Sequence, residues 1–188
     1  KGLALVKSGG TLIVKAGRYA EPLIEVHKPV RMIGEGMPTL DGEGSHAVLH
    51  ILADDVTVKG FVFARVGHSD MKDLAAIRVT DARNCNISNN RIEEGFFGIY
   101  LAHVTGCRVE RNVLTASGRT EATSGNGIHL WTSTNVTISH NVVSGYRDGI
   151  YFEFVHGTEV KDNVSEGNLR YGLHFMYSDD CRYIGNTF

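Results

Sequence analysis

The chain has little proline, little net charge and no long apolar run. Only 3 of its 188 residues are Pro, which excludes proline-rich linkers and recognition segments. Its 19 Lys and Arg nearly balance 21 Asp and Glu, a formal net charge of −2. That balance leaves no electrostatic footprint for nucleic acid or for an anionic membrane surface. No stretch is apolar for long enough to span a bilayer, so direct membrane insertion is not expected, and no signal-peptide pattern is visible. The first residue is Lys1 rather than Met, and the expectation is that a further segment precedes it. Cys is scarce and odd in number, 3 in all, which gives no disulfide framework.

Glycine, by contrast, is abundant, with 22 residues, and much of it recurs in one pattern. Ala76-Ile77-Arg78-Val79, Gly98-Ile99-Tyr100-Leu101, Gly127-Ile128-His129-Leu130, Gly149-Ile150-Tyr151-Phe152 and Gly172-Leu173-His174-Phe175 are successive versions of it. The steps between their second residues are 22, 29, 22 and 23. Asn90, Asn112, Asn141, Asn163 and Asn186 advance by the same steps. Two markers moving together define a repeated unit, and a period in the twenties with short alternating apolar runs is a solenoid of β-strands. Alternation also excludes helices as the repeating element.

Each unit divides into three short strands, as in Ile128–Trp131, Val136–Ile138 and Val142–Val143, with a glycine corner at Ser144-Gly145. An eight-residue offset links Val48/Val56, Ile77/Cys85, Ile99/Cys107, Ile128/Val136, Ile150/Thr158 and Leu173/Cys181. The expected fold is all-β: a right-handed, single-stranded parallel β-helix forming one domain over residues 1–188. The hand follows the crossover rule. Asn at the corner is expected to take left-handed backbone and to stack by hydrogen bonds between coils. The chain stops at Asn186-Thr187-Phe188 within a unit, so it is expected to be the N-terminal portion of a longer solenoid. The steps from 48 to 77 and from 99 to 128 each carry seven extra residues, in polar stretches at 67–73 and 116–124. Such insertions map to loops, often on a binding face. Cys85, Cys107 and Cys181 fall at one inward corner and read as core filling, with a bridge possible only between the first two.

If Ile99, Ile128, Ile150 and Leu173 point inward, one outward row is Leu49, Arg78, Tyr100, His129, Tyr151, His174. The next is Ile51, Thr80, Ala102, Trp131, Glu153, Met176. A solvated sheet face ordinarily carries Lys, Thr and Ser, so this face is the candidate site. Stacked aromatics can simply stabilise a parallel sheet. Tyr and Trp can also receive sugar rings. A third possibility is a metal: imidazole with thioether suits copper, above all Cu(I), which makes His129, Glu153, His174 and Met176 candidate ligands. Tyr100, Trp131, Tyr151, Arg170 and Tyr171 are the candidate partner or ligand face. His50 aligns with inward Val79, and Asp148, Asp179 and Asp180 flank the strands out of register. Paired carboxylates for glycoside hydrolysis are missing, so no catalytic residue is expected.

Three stretches are more specific than the repeat. Gly125-Asn126-Gly127-Ile128-His129-Leu130-Trp131, the run from Arg147 to Glu153 and the run from Asn168 to Asp180 resemble the NosD family. Gly10-Thr11-Leu12-Ile13-Val14 with Gly17-Arg18-Tyr19 resembles the first strand region of that family. The wider group, carbohydrate-binding and sugar-hydrolase β-helix repeats, shares only the Gly-Ile and Asn pattern. The resemblance implies a periplasmic accessory protein for maturation of nitrous-oxide reductase, without turnover of its own. Its implied partners are an ABC transporter permease and ATPase, a copper-chaperone lipoprotein and the reductase, with copper as the possible cargo. The alternative is a carbohydrate-binding or carbohydrate-active β-helix.

Overall fold

A computed structural model describes residues 2–69, 72–118 and 120–188. Lys1, Asp70, Met71 and Arg119 lie outside the described residues, so the expectations for the start of the chain and for parts of both insertions are not addressed there. Alternating side chains drive the architecture: in each coil one set of apolar residues turns inward and the chain bends at glycine or left-handed residues. The result is a right-handed parallel solenoid of about seven turns. Among the described residues its three faces are sheets of eight, seven and seven strands, every pairing parallel. A short helix, Gly2–Leu5, packs on the first coil, with Leu3 against the core.

The sheet that carries the candidate site contains Ile24–Val26, Leu49–Ile51, Ala75–Thr80, Phe97–Ala102, Asn126–Trp131, Asp148–Glu153 and Tyr171–Met176. Its inward residues Ile77, Ile99, Ile128 and Ile150 are fully buried. The residue before each of them, Ala76 in the first of these coils and Gly98, Gly127 and Gly149 in the others, is buried too. A Cβ on Gly149 would lie 1.9 Å from Ser165 Oγ, and one on Gly127 would lie 2.4 Å from Val143 Cγ1. The Gly-Ile pair is therefore a packing requirement: the strand enters the core where only a hydrogen fits.

The Asn track is a buried ladder. Asn90, Asn112, Asn141 and Asn163 each donate through Nδ2 to the Oδ1 of the next Asn, at 2.9–3.1 Å. The left-handed residue, however, is the one before each Asn. Asn89, Arg111, His140, Asp162 and Gly185 have φ of 53°, 53°, 58°, 53° and 63°. The expectation that the ladder Asn itself takes this conformation is corrected. The preceding residue makes the turn, and Asn satisfies the buried amides that the turn leaves unpaired. Phe61 holds the ladder position one coil earlier, and its N–H donates to Asn90 Oδ1 at 3.1 Å.

The first repeat is also re-registered. Leu49, not Val48, pairs with Ile77, and His50 pairs with Arg78. Leu49 and Ile51 are fully buried and so belong to the inward set, while His50 is the outward residue. Val48, itself buried, occupies the preceding corner, and the adjacent apolar pair Val48-Leu49 misplaces the register by one. Cys85 and Cys107 are buried free thiols and Cys181 is half-buried, in keeping with a core-filling role.

Candidate functional site

With the register corrected, the outward row runs Glu25, His50, Arg78, Tyr100, His129, Tyr151, His174 across seven coils. Parallel in-register stacking brings each ring onto the next. The Arg78 guanidinium lies 4.9 Å from the Tyr100 centroid. Tyr100–His129, His129–Tyr151 and Tyr151–His174 follow at 4.5, 4.8 and 5.0 Å between centroids. The row is far less open than an outward position implies: Tyr100 is 6% and Tyr151 9% exposed. Phe97 folds over it, stacked on Tyr100 at 5.4 Å and edge-on to His129.

The second row places Trp131, Glu153 and Met176 on adjacent strands. Trp131 is 36% exposed and has His103 edge-on at 4.8 Å. Beyond it Phe154 and Tyr177 stack at 5.1 Å, both exposed and both left-handed, with φ of 55° and 48°.

A third row, at the start of the same strands, is Asn126, Asp148 and Tyr171. This corrects the expectation that Asp148 is out of register. Its carboxylate is fully buried and accepts from Arg170 Nε at 3.1 Å, Arg170 Nη2 at 3.2 Å and Arg147 Nε at 3.3 Å. Arg170 also covers the Tyr171 ring at 5.3 Å and reaches Glu121 of the second insertion at 3.8 Å. Asn126, Arg147 and Asp148 were not foreseen as site residues. The signal was available: each strand-start residue lies immediately before the glycine of the Gly-Ile pair.

This third row decides which nitrogen accepts in each neutral histidine ring. Asn126 Oδ1 accepts from Arg147 Nη2 at 3.2 Å, so its amide nitrogen is the donor to His129 Nδ1 at 3.0 Å. The His129 ring proton is therefore on Nε2, which is buried with no partner among the described residues. Burial, and then the charges of Arg147 and Arg78, hold its pKa down at about 3. His174 Nδ1 in turn accepts from Arg170 Nη2 at 3.1 Å, which puts the proton of the neutral ring on Nε2. Met176 Sδ accepts from the Tyr151 hydroxyl at 3.2 Å.

The four candidate metal residues thus do not converge. Tyr151 separates His129 from His174, and in neither ring is a nitrogen lone pair left free. Among the described residues no group of three or more His, Cys, Asp or Glu is arranged to hold a metal. The arrangement as it stands does not fit copper held jointly by His129, Glu153, His174 and Met176. Among the described residues no helix is long and apolar enough to cross a membrane.

Residues 75–188 match the family model described as the right handed beta helix region. The chain belongs to the right-handed β-helix family. Within that family it is NosD-like. It is 30% identical over 151 residues to the "Probable ABC transporter binding protein NosD" of Pseudomonas aeruginosa, a match covering 79% of this chain and 35% of that protein. It is 31% identical over 137 residues to the protein of the same description from Stutzerimonas stutzeri, covering 71% and 31%. The chain thus spans about a third of the length of the curated relatives it matches. A putative glycosyl hydrolase from Parabacteroides merdae shares the fold, with a TM-score of 0.53 at 14% identity over 95% of this chain and 80% of that one.

Proposed function

We propose that this β-helix is the coil region of an exported, non-catalytic NosD-like protein that works with an ABC transporter in assembling the copper centre of nitrous-oxide reductase. In this reading it is a docking component and not a resident copper carrier. The observation that carries it is the occupied state of the soft ligands: His129 Nδ1, His174 Nδ1 and Met176 Sδ each already accept a hydrogen bond. Copper at His174 would first have to displace Arg170. The relatives' description as ABC transporter binding proteins supports the docking role. The permease, the ATPase, a copper-chaperone lipoprotein and the reductase are the proposed partners, and the periplasm the proposed location.

The docking face carries the exposed aromatics Trp131, Phe154 and Tyr177 at one end of these strands and Tyr171 at the other, with the buried rings of Tyr100 and Tyr151 between them and the exposed Arg170 beside Tyr171. Large aromatics on a rigid support are the residue type that dominates binding energy at interfaces. A carbohydrate-active reading draws less support, because Asp148 is neutralised by two Arg and leaves Glu153 without a second free carboxylate. Binding of the chain to the permease–ATPase pair in nanodiscs tests the proposal. Saturable binding weakened roughly thirtyfold by Trp131→Ala with Tyr171→Ala is expected. Binding that the double variant leaves unchanged contradicts it.

A further inference from the structure

One carboxylate of the site sheet stands without a partner. Glu153 is outward and half-buried, level with Trp131 on one neighbouring strand and Met176 on the other. Parallel pairing sets these neighbours about 4.8 Å apart across the sheet. Among the described residues the Glu153 carboxylate makes no hydrogen bond and no ion pair. Every other buried or half-buried carboxylate among them has an arginine on it. Arg18 and Arg65 hold Asp41, Arg91 is beside Glu93, Arg108 holds Glu110, Arg147 and Arg170 hold Asp148, and Arg182 is beside Glu159. A charge partly withdrawn from water and left unpaired is costly, so the exception marks a place for a cation from outside the chain. Glu153 is felt by its neighbour: burial first, and then its charge, push the Tyr151 hydroxyl above the ordinary tyrosine value.

The surroundings narrow the class of cation. The row of Thr80, Ala102, Trp131, Glu153 and Met176 contains no Lys and no Arg. Beyond the corner, Asp179 and Asp180 are exposed, with only His156 beside them. This end of the face is therefore negative, and it is also the aromatic end, where Trp131 adjoins the exposed Phe154–Tyr177 stack. Indole is the strongest aromatic partner for a cation. Guanidinium is planar and weakly hydrated, so it can lie on an indole while its N–H fork meets a carboxylate. An ammonium is a compact, strongly hydrated point charge without that fork. Arg and Trp are also the residues enriched where interface energy concentrates.

We propose that Glu153 is the counter-charge for an arginine side chain of the docking partner, whose guanidinium lies on Trp131 and bonds to the carboxylate. The proposal rests on the docking reading of this face and adds the chemistry that the partner must bring. Trp131 is the single Trp of the chain, so its emission reports on this spot alone. A blocked peptide of alternating Gly and Arg should change that emission saturably, and should bind more weakly as salt rises. The same peptide with citrulline in place of Arg should leave the emission unchanged. Affinity for the Arg peptide should fall roughly tenfold in Glu153→Gln, the loss of one charge-assisted pair. The variant should melt as the parent does, since nothing in the fold bonds to this carboxylate. An emission that the Arg peptide does not saturate overturns the proposal, and so does an affinity that Glu153→Gln leaves unchanged. The two readings fail separately. Saturation by the peptide without binding to the permease–ATPase pair contradicts the docking role and leaves the arginine site in place. Binding to the pair that needs Trp131 and Tyr171 but ignores Glu153→Gln contradicts the arginine site and leaves the docking role in place.

Discussion

Asn141 makes four side-chain hydrogen bonds at a point fully closed to solvent. Its Oδ1 accepts from Asn112 N at 2.9 Å and Asn112 Nδ2 at 3.0 Å, and its Nδ2 donates to Val109 O at 2.8 Å and Asn163 Oδ1 at 2.9 Å. Asn141→Ala removes one partner from each of four buried groups, the Asn112 N–H, Asn112 Nδ2, Val109 O and Asn163 Oδ1. The expected loss is about 3 kcal/mol, measured as a lower urea midpoint with an unchanged slope. An unchanged midpoint would mean that water satisfies the ladder. The ladder was legible in the sequence because identical residues at a fixed step have one simple explanation. The conformation of the turn was not: Asn89, Arg111, His140, Asp162 and Gly185 share nothing in composition, only the left-handed φ that their position imposes.

Within one sheet, stacking decides what a side chain can do. His129 lies between Tyr100 and Tyr151 and is neutral in the folded protein, with its pKa near 3. In the unfolded chain the same ring protonates near pH ~6.5. Its contribution to stability is therefore complete above that pH and is lost progressively as pH falls from about 6.5 toward 3. Proton NMR should find no titration of His129 between pH 8 and 5. His156, exposed and hydrogen-bonded to Asp179, should titrate above the ordinary histidine value. A His129 midpoint near 6.5 would show that the ring stack opens. The sequence indicated which residues share this face but not that the face is half-closed. Alternation gives direction, whereas burial here comes from Phe97 and from the Asp148–Arg170 pair, which sit where the strands bend and alternation no longer applies. The first coil's register failed for a related reason: Val48 and Leu49 are both buried, one at a corner and one in a strand.

At the scale of the molecule, coils of one kind build unlike surfaces: the aromatic face of the site sheet, and the eight-stranded sheet with its ordinary polar exterior. The central claim is the proposal made for the first: that this sheet presents an ordered face for a partner, and that its His and Met side chains hold the face together rather than store metal. The most direct measurement is a Cu(I) titration against a competing chelator such as bicinchoninate, on the chain and on its His174→Ala/Met176→Ala variant. The account predicts that the chain holds no more Cu(I) against the chelator than the double variant does. Tight one-to-one binding that the double variant loses would contradict it, and would place copper on this face.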